Sequence, residues 1–371
     1  MLETVGAGGR YGIDISTDRD EWNAFVKRND GPAYVHRGWS EAVASYGHDS
    51  WHLAARREDT GAIAAVLPLY HVKSRLFGSQ LLSPAFAERG SIVPDEEADT
   101  TLATRLLLEQ TKRLAEKRNV DVVSLRGSPI GSTDGGRNGD GTVEDDDFTL
   151  ENQYVTFRIP LCGGPEAVRS SVKDSRQRQI DQAAENPALQ FRVGTSISDL
   201  EDYYQCYLET MRGHGSPPHS FEFFRILWEQ LRDDGHLRLG MITHDGSLIN
   251  GMIDLSMGST VYQWGVVSDY EHRDLNGGSL LLWKSLEWAA ENGYDTYECG
   301  RTREGSGVYM FKKSFGGSKT WYDDLHYFPN EAASLPDPED STYERATKVW
   351  QRLPLPITRI VGPHIRKRIG L

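Results

Sequence analysis

V-V-S-D-Y-E-H-R-D-L-N-G-G-S-L-L-L-W-K-S-L, residues 266–286, is the stretch that decides the fold. An apolar run of strand character ends there, a polar loop carrying Arg273 follows, and Gly277-Gly278 opens an amphipathic helix. Glycines let backbone N–H groups approach a ligand, and a helix start concentrates unpaired donors and a partial positive charge. The arrangement suits the pyrophosphate of coenzyme A or a nucleic-acid phosphate, with Arg273, Gly277 and Gly278 as the residues that hold it. A glycine-rich helix start that binds nothing is the plainer alternative.

The pattern on either side extends this into an α/β unit. Upstream, 260–267 reads as a strand, preceded by a hairpin of 237–243 and 248–257 about His244-Asp245-Gly246. Downstream come a helix over 276–292, a short strand over 296–299 and a final strand over 321–328. Further toward the N-terminus lie a strand at 154–159, one strongly charged helix over 165–185 and a strand at 191–194. Helices follow at 198–211, capped by Ser198, and at 221–232. Such an order of helices, antiparallel hairpin and strand–loop–helix–strand predicts a mixed sheet flanked by helices.

The first half repeats the parts in shorter form. A helical stretch over 20–47 precedes strands at 51–56 and 62–71, a helix over 100–118 and a strand at 120–126. Residues 131–147 are rich in Gly, Asp, Ser and Thr with little to bury, and read as an acidic flexible insert. The predicted organisation is therefore two α/β domains, 1–150 and 151–330, with a basic, proline-containing tail over 331–371. Prolines 354, 356 and 363 forbid one continuous helix in that tail.

Composition narrows the function classes. The 371 residues carry 41 basic and 54 acidic side chains, a formal charge of −13, which does not suit binding of DNA. An acidic, lysine-poor surface fits either a salt-loving cytoplasm or an ordinary acidic enzyme. The charge is uneven: residues 348–371 hold six Lys/Arg and no acid, mixed with branched apolar residues as in interfacial segments. This tail is read as a peripheral membrane contact or as a segment packed on the acidic body. No apolar run reaches the roughly 18 to 20 residues of a membrane span, and the N-terminus lacks a signal-peptide pattern, so a cytoplasmic setting is expected, peripheral at the inner membrane surface if the tail engages it. Cys162, Cys206 and Cys299 are too widely spaced for a zinc ribbon or a disulfide framework, and no metal is expected.

A second candidate pocket lies at Y-E-C-G-R-T-R-E-G-S-G-V-Y-M-F-K-K-S-F, residues 297–315. A short strand delivers four cations and two permissive glycines into one loop, which makes Arg301, Tyr309 and Lys312 candidates for gripping an anionic donor or acceptor. A solvated basic loop is the alternative. Lys173, Arg176, Gln177 and Ile180 fall near one face of a charged helix, whose default reading is a solvated amphipathic face. Two single residues qualify as proton acceptors from an amine: His214, in Arg212-Gly-His-Gly, and Asp254, a strand carboxylate next to Trp264 and Tyr262. Trp264 is a candidate substrate contact.

Several of these segments, in order, resemble the Fem-type aminoacyltransferases and the related GNAT acetyltransferase-like domains. L-P-L-Y-H-V-K-S-R-L-F-G-S-Q-L-L-S-P-A-F (67–86) is similar to that family's first-domain hairpin. S-R-Q-R-Q-I-D-Q-A (175–183) is similar to its basic helix, and T-M-R-G-H-G-S-P-P-H-S-F-E-F-F (210–224) to its Gly/Pro loop. G-R-T-R-E-G-S-G-V-Y-M-F-K-K-S-F-G-G (300–317) resembles its signature, with Phe315 where Trp is usual.

The resemblance implies two tandem GNAT-like domains with mixed, mostly antiparallel sheets. It implies transfer of an acyl group from acyl-CoA, or of an aminoacyl group from tRNA, to an amine on a sugar, lipid or peptide. Such an enzyme positions the amine, removes its proton and stabilises an oxyanion, and needs no covalent nucleophile. The competing expectation is a non-catalytic GNAT-like module binding an anionic glycan or lipid head group.

Overall fold

The computed structural model describes residues 11–74, 78–95, 100–127, 145, 147–330 and 341–370. The predicted insert 131–147 lies almost wholly outside the described residues. The chain divides into two compact units: 1–153 with 321–336 and 367–371, and 154–320 with 337–366. The domains expected from sequence, 1–150 and 151–330, are continuous stretches. The structure differs in returning the chain to the first unit after residue 320, a long-range pairing that leaves no local mark.

The first unit begins with β1 (Tyr11–Asp14), α1 (Arg19–Arg28) and α2 (Arg37–Ala44). The single helical stretch expected over 20–47 is thus two helices, broken at Asp30-Gly31-Pro32, where Asp30 takes a positive φ and Pro32 supplies no N–H. Next come β2 (Asp49–Arg57), β3 (Ile63–Ser74), β4 (Gly78–Ser83), β5 (Val93–Pro94), α3 (Thr101–Arg118), β6 (Val122–Leu125) and β7 (Thr149–Glu151). Leu53, Leu67 and Leu69 of the sheet meet Leu107 and Leu108 of α3, and this apolar layer is the unit's main core.

On α1 and α2, Trp22 and Trp39 are fully buried, and their indole N–H groups donate to Val35 O (2.9 Å) and Ala85 O (3.0 Å). Among them His52 lies 2.8 Å from the Ser40 hydroxyl and edge-on to Trp22. Burial, with Arg37 nearby, brings its pKa down to about 3. The folded imidazole thus stays neutral while an unfolded one takes a proton below its usual value of 6.5. Stability is whole above that value and falls as pH drops toward 3, by about 1.4 kcal/mol per pH unit. Hydrogen exchange of β2 and β3 amides, corrected for intrinsic rates, should show this slope, and His52→Gln should flatten it.

The second unit contains β8 (Val155–Pro160), α4 (Gly164–Ser171), α5 (Asp174–Ala184), β9 (Leu189–Gly194), α6 (Ile197–His214) and α7 (Phe221–Leu231). It continues with β10 (Leu237–His244), β11 (Ser247–Met257), β12 (Thr260–Ser268), α8 (Gly277–Glu291), β13 (Thr296–Glu298), α9 (Gly307–Lys313) and β14 (Ser318–Trp321). The charged helix expected over 165–185 is broken at Val172-Lys173, where Lys173 N–H donates to Ser314 O. The N-cap of α6 is Ser196 rather than Ser198. Its hydroxyl and the Asp199 carboxylate cap each other's backbone N–H groups, so the earlier serine wins by completing a capping box.

The chain then returns to the first sheet as β15 (Asp324–Tyr327), whose order is β1-β2-β3-β4-β6-β15-β7, with β5 on β3. One final strand was expected over 321–328; β14 and β15 instead serve different sheets. The predicted tail forms α10 (Ser341–Gln351) and α11 (Leu355–Arg366), both packed on α6, with the break at Leu353-Pro354.

The second sheet runs β14-β8-β13-β12-β11-β10-β9, and β12 and β13 are parallel neighbours. Alternate residues of β11 identify its two covered faces. Asn250 and Asp254 point toward α8, which shares its side with α4 and α5, while Gly251 lies against Tyr203 of α6. Both units are thus mixed α/β layers with mostly antiparallel sheets.

Candidate functional site

β12 and β13 run side by side only from Thr260–Tyr262 against Thr296–Glu298. Beyond Tyr262 the β13-facing edge of β12 has no ladder partner among the described residues, because the chain after Glu298 turns away and Thr302 bridges to Val155 of β8. A gap therefore opens between the last turns of β12 and residues 299–302. Both candidate loops leave the sheet at this end, one from each strand.

The β12 side of the gap is shaped by a bulge. Opposite Gly251 and Ile253 of β11 stand Val267 and Trp264, so Gly265 and Val266 together face the single residue Met252 and β12 carries one extra residue there. Gly265 has φ +59, and its carbonyl accepts a hydrogen bond from the Tyr203 hydroxyl. An isolated glycine inside a strand is the one sequence signal that could have located this bulge. A kinked strand whose peptide groups are released from pairing can present backbone donors to a ligand.

The chain next makes a short 3₁₀ turn (Tyr270–Leu275) and enters α8 through Asn276, which has φ +58. Arg273 is exposed in this turn. Gly277 is buried, and a Cβ there would collide with Asn250 Oδ1; Gly278 has no such close neighbour. Asn250 is itself fixed by donating to the Ser268 hydroxyl (2.9 Å). Gly277→Ala should therefore break that hydrogen bond, cost about 1 kcal/mol and weaken binding of a phosphate-bearing donor. A melting curve with and without donor checks both effects. Asn276 is not among the residues expected at the site; an Asn directly before a Gly pair at a helix start is its signal in the sequence.

On the other strand, Gly300 (φ +64) begins the second loop. Lys312 is buried, and its Nζ donates to Gly300 O (2.9 Å) and Arg301 O (3.1 Å). It acts first as the clamp of that turn rather than as an open cation. Arg301 stacks over the Tyr154 ring at 4.8 Å. Tyr309 is buried with its ring 5.2 Å from Phe157, so its body belongs to the core.

One residue joins the two loops. Arg176 of α5 donates to the Ser279 hydroxyl in the first turn of α8 (2.8 Å) and to the Ser314 hydroxyl after α9 (2.8 Å). Its guanidinium lies 4.4 Å from the Phe311 ring centre, and burial lowers its pKa. A single guanidinium spans only a few ångströms, so the start of α8 and the end of α9 belong to one locality. The default solvated face of this helix is thereby corrected at Arg176, which is half-buried and bonded on both sides.

The remaining predicted residues are dispersed. Asp254 is 1% exposed beneath α8, accepting from Ser285 Oγ (2.6 Å), Tyr297 OH (2.7 Å) and Arg238 Nη1 (3.3 Å). Burial raises its pKa although Arg238 opposes the shift. It pairs with Gln263, four residues along β11 from Asn250, and is a core polar knot, not an accessible base. Trp264 is on the opposite, α6 side of the sheet, tilted 5.5 Å from Phe224, and serves the core there. His214 ends α6 with Nε2 2.8 Å from the Tyr270 hydroxyl. The residue keeps an exposed edge, but packing of the ring lowers its pKa below the ordinary imidazole value. Through Tyr270 it touches the turn that leads to Gly277. Among the described residues no cluster of His, Cys, Asp or Glu is arranged to hold a metal.

A sheet whose two parallel central strands part, with a helix N-terminus after the first of them, is the arrangement of a GNAT-like α/β fold. Residues 170–313 match the family model of the acetyltransferase (GNAT) domain, and the chain has a tandem GNAT-like fold. The structure is similar to FemX, with a TM-score of 0.68 and 15% identity, covering 85% of this chain and 97% of that one. It is similar also to the C-terminal domain (DUF2156) of a putative lysylphosphatidylglycerol synthetase from Agrobacterium fabrum, with TM-score 0.55, 15% identity and coverage of 86% and 94%. A tandem GNAT protein from the clavulanic acid biosynthesis pathway gives 0.51 at 12% identity, covering 87% of this chain and 99% of that one. No curated protein matches the chain in sequence.

Proposed function

We propose that the second unit is an N-acyltransferase or aminoacyltransferase, taking an activated acyl group from acyl-CoA or aminoacyl-tRNA to an amine on a sugar, lipid or peptide. The observation that carries this reading is the parting of β12 from β13, with the Asn276–Gly278 helix start on one side and the Lys312-clamped turn on the other. Phosphate of the donor sits at the α8 N-terminus with Arg273, and the acyl-bearing end runs into the gap. The acceptor amine attacks the donor carbonyl, and the resulting oxyanion is met by backbone N–H groups of the bulged stretch at Gly265 and Val266. Collapse breaks the bond to the thiol or the tRNA hydroxyl and releases it.

His214, neutral at physiological pH because its pKa is lowered, is the residue we assign to receive the amine proton through Tyr270. Asp254 takes no part in this scheme. Arg301 orients the acyl donor or the acceptor from the edge of the gap.

The test combines binding and turnover. Acetyl-CoA, longer acyl-CoAs and aminoacyl-tRNA are each added while thermal unfolding is followed, and amide formation is assayed on amine acceptors. One donor should raise the unfolding temperature and support transfer. Stabilisation by anionic glycans or head groups without any transfer would favour a binding module instead, and no response to any donor would remove the assignment.

A further inference from the structure

The two C-terminal helices of the second unit are held by their inward sides. Trp350 of α10 and Thr358 and Gly362 of α11 are buried, Gly362 lying against Pro218, and Gln351 Nε2 donates to Gly213 O at 3.0 Å. Arg366 Nε lies 3.1 Å from His219 Nε2. These anchors fix which side of each helix faces outward.

The outward faces are unlike each other. On α10 and in the turn that directly follows it, Arg345, Lys348, Val349 and Arg352 recur at i, i+3, i+4 and i+7, and all are exposed, Val349 by 62%. On α11 the same spacing brings out Ile357, Ile360, Val361 and His364, with Ile360 69% exposed. A cationic face is thus followed, across the Leu353-Pro354 break, by an apolar one. No acid occurs from Arg345 to the C-terminus, in a chain whose formal charge is −13.

We propose that this pair of faces is a docking surface for an anionic lipid bilayer. The cations of α10 meet head-group phosphates while Ile357, Ile360 and Val361 enter the head-group/acyl boundary, the lying-on mode of an amphipathic interfacial helix. No helix among the described residues is long and apolar enough to cross a membrane, which fits contact from one side. Charge complementarity selects this occupant. A second copy docked about a two-fold axis would set like cations against one another, and a nucleic acid would leave the branched apolar stripe in water. The proposal does not depend on the transferase reading, because bilayer binding is measured without turnover.

The full chain is sedimented with vesicles of phosphatidylcholine alone and of phosphatidylcholine with phosphatidylglycerol, at low and high salt. It should bind only the anionic vesicles and release from them as salt rises. Arg345→Glu/Arg352→Glu should weaken binding about a hundredfold or more, since each cation near an anionic surface is worth a factor of about five and reversal adds repulsion. Ile357→Ser/Ile360→Ser should weaken it about tenfold or more. Both pairs change only exposed side chains, and unchanged melting temperatures confirm that the fold is kept. Equal binding to neutral vesicles, no binding to anionic ones, or no effect of either pair would overturn the proposal. So would self-association, or binding of tRNA in place of vesicles, abolished by the same substitutions.

Discussion

Replacing Asp254 by alanine is expected to cost the second unit about 3–5 kcal/mol, a large part of a typical domain's stability. The carboxylate is the shared acceptor of Ser285 in α8, Tyr297 in β13 and Arg238 in β10. Without it two buried hydroxyls and a nearly buried guanidinium lose their partner at once, and each desolvated group carries its own penalty. Urea unfolding should show the midpoint falling steeply. Ser285→Ala, which removes one donor and leaves the others paired, should cost far less. Any Asp254→Ala protein that remains folded at low temperature should still bind donor, because the residue lies away from the α8 N-terminus. A variant of unaltered stability with abolished turnover would instead make Asp254 part of the chemistry.

Lys312→Met should have the largest effect on turnover. Methionine fills similar space, but two carbonyls lose their donor, and the Gly300–Arg301 turn is no longer tied to α9. A displacement of about 1 Å at a reacting centre can cost about a hundredfold in rate, so kcat/KM should fall by at least that factor. The stability loss should be about 1–3 kcal/mol, the penalty of unsatisfied buried groups, and the variant should remain folded at ambient temperature. Steady-state kinetics beside a melting curve separates the two effects. Wild-type turnover in this variant would place the 300–302 turn outside the site.

Much of the second unit is legible because its pattern changes sharply. Around Gly277 an apolar strand run gives way to helical spacing, and the Asp245-Gly246 pair between two apolar runs marks a hairpin turn, both residues indeed having positive φ. The site is less legible for an equally physical reason. The sheet is covered on both faces, so alternation along β11 cannot tell a buried Asp254 from an accessible one. Lys312 looks like an anion-binding cation in a glycine-rich loop, and only tertiary structure turns its ammonium inward onto two carbonyls. Arg176 resembles any solvated helix residue, since its partners Ser279 and Ser314 lie 103 and 138 positions away. The break at Val172-Lys173 has a similar origin: its backbone partner is Ser314.

The strand β15 has a consequence for biosynthesis. It inserts between β6 and β7, although 202 residues separate its His326 from the β6 partner Ser124 in the chain. The ribosome must therefore release residues 154–320 of the second unit before the first sheet can close. On a nascent polypeptide the GNAT-bearing half can mature early, while the N-terminal half waits with an open seam for a late-arriving piece. A gene fragment ending at residue 153 should yield an aggregation-prone product, and supplying 321–330 through a short engineered linker should rescue it.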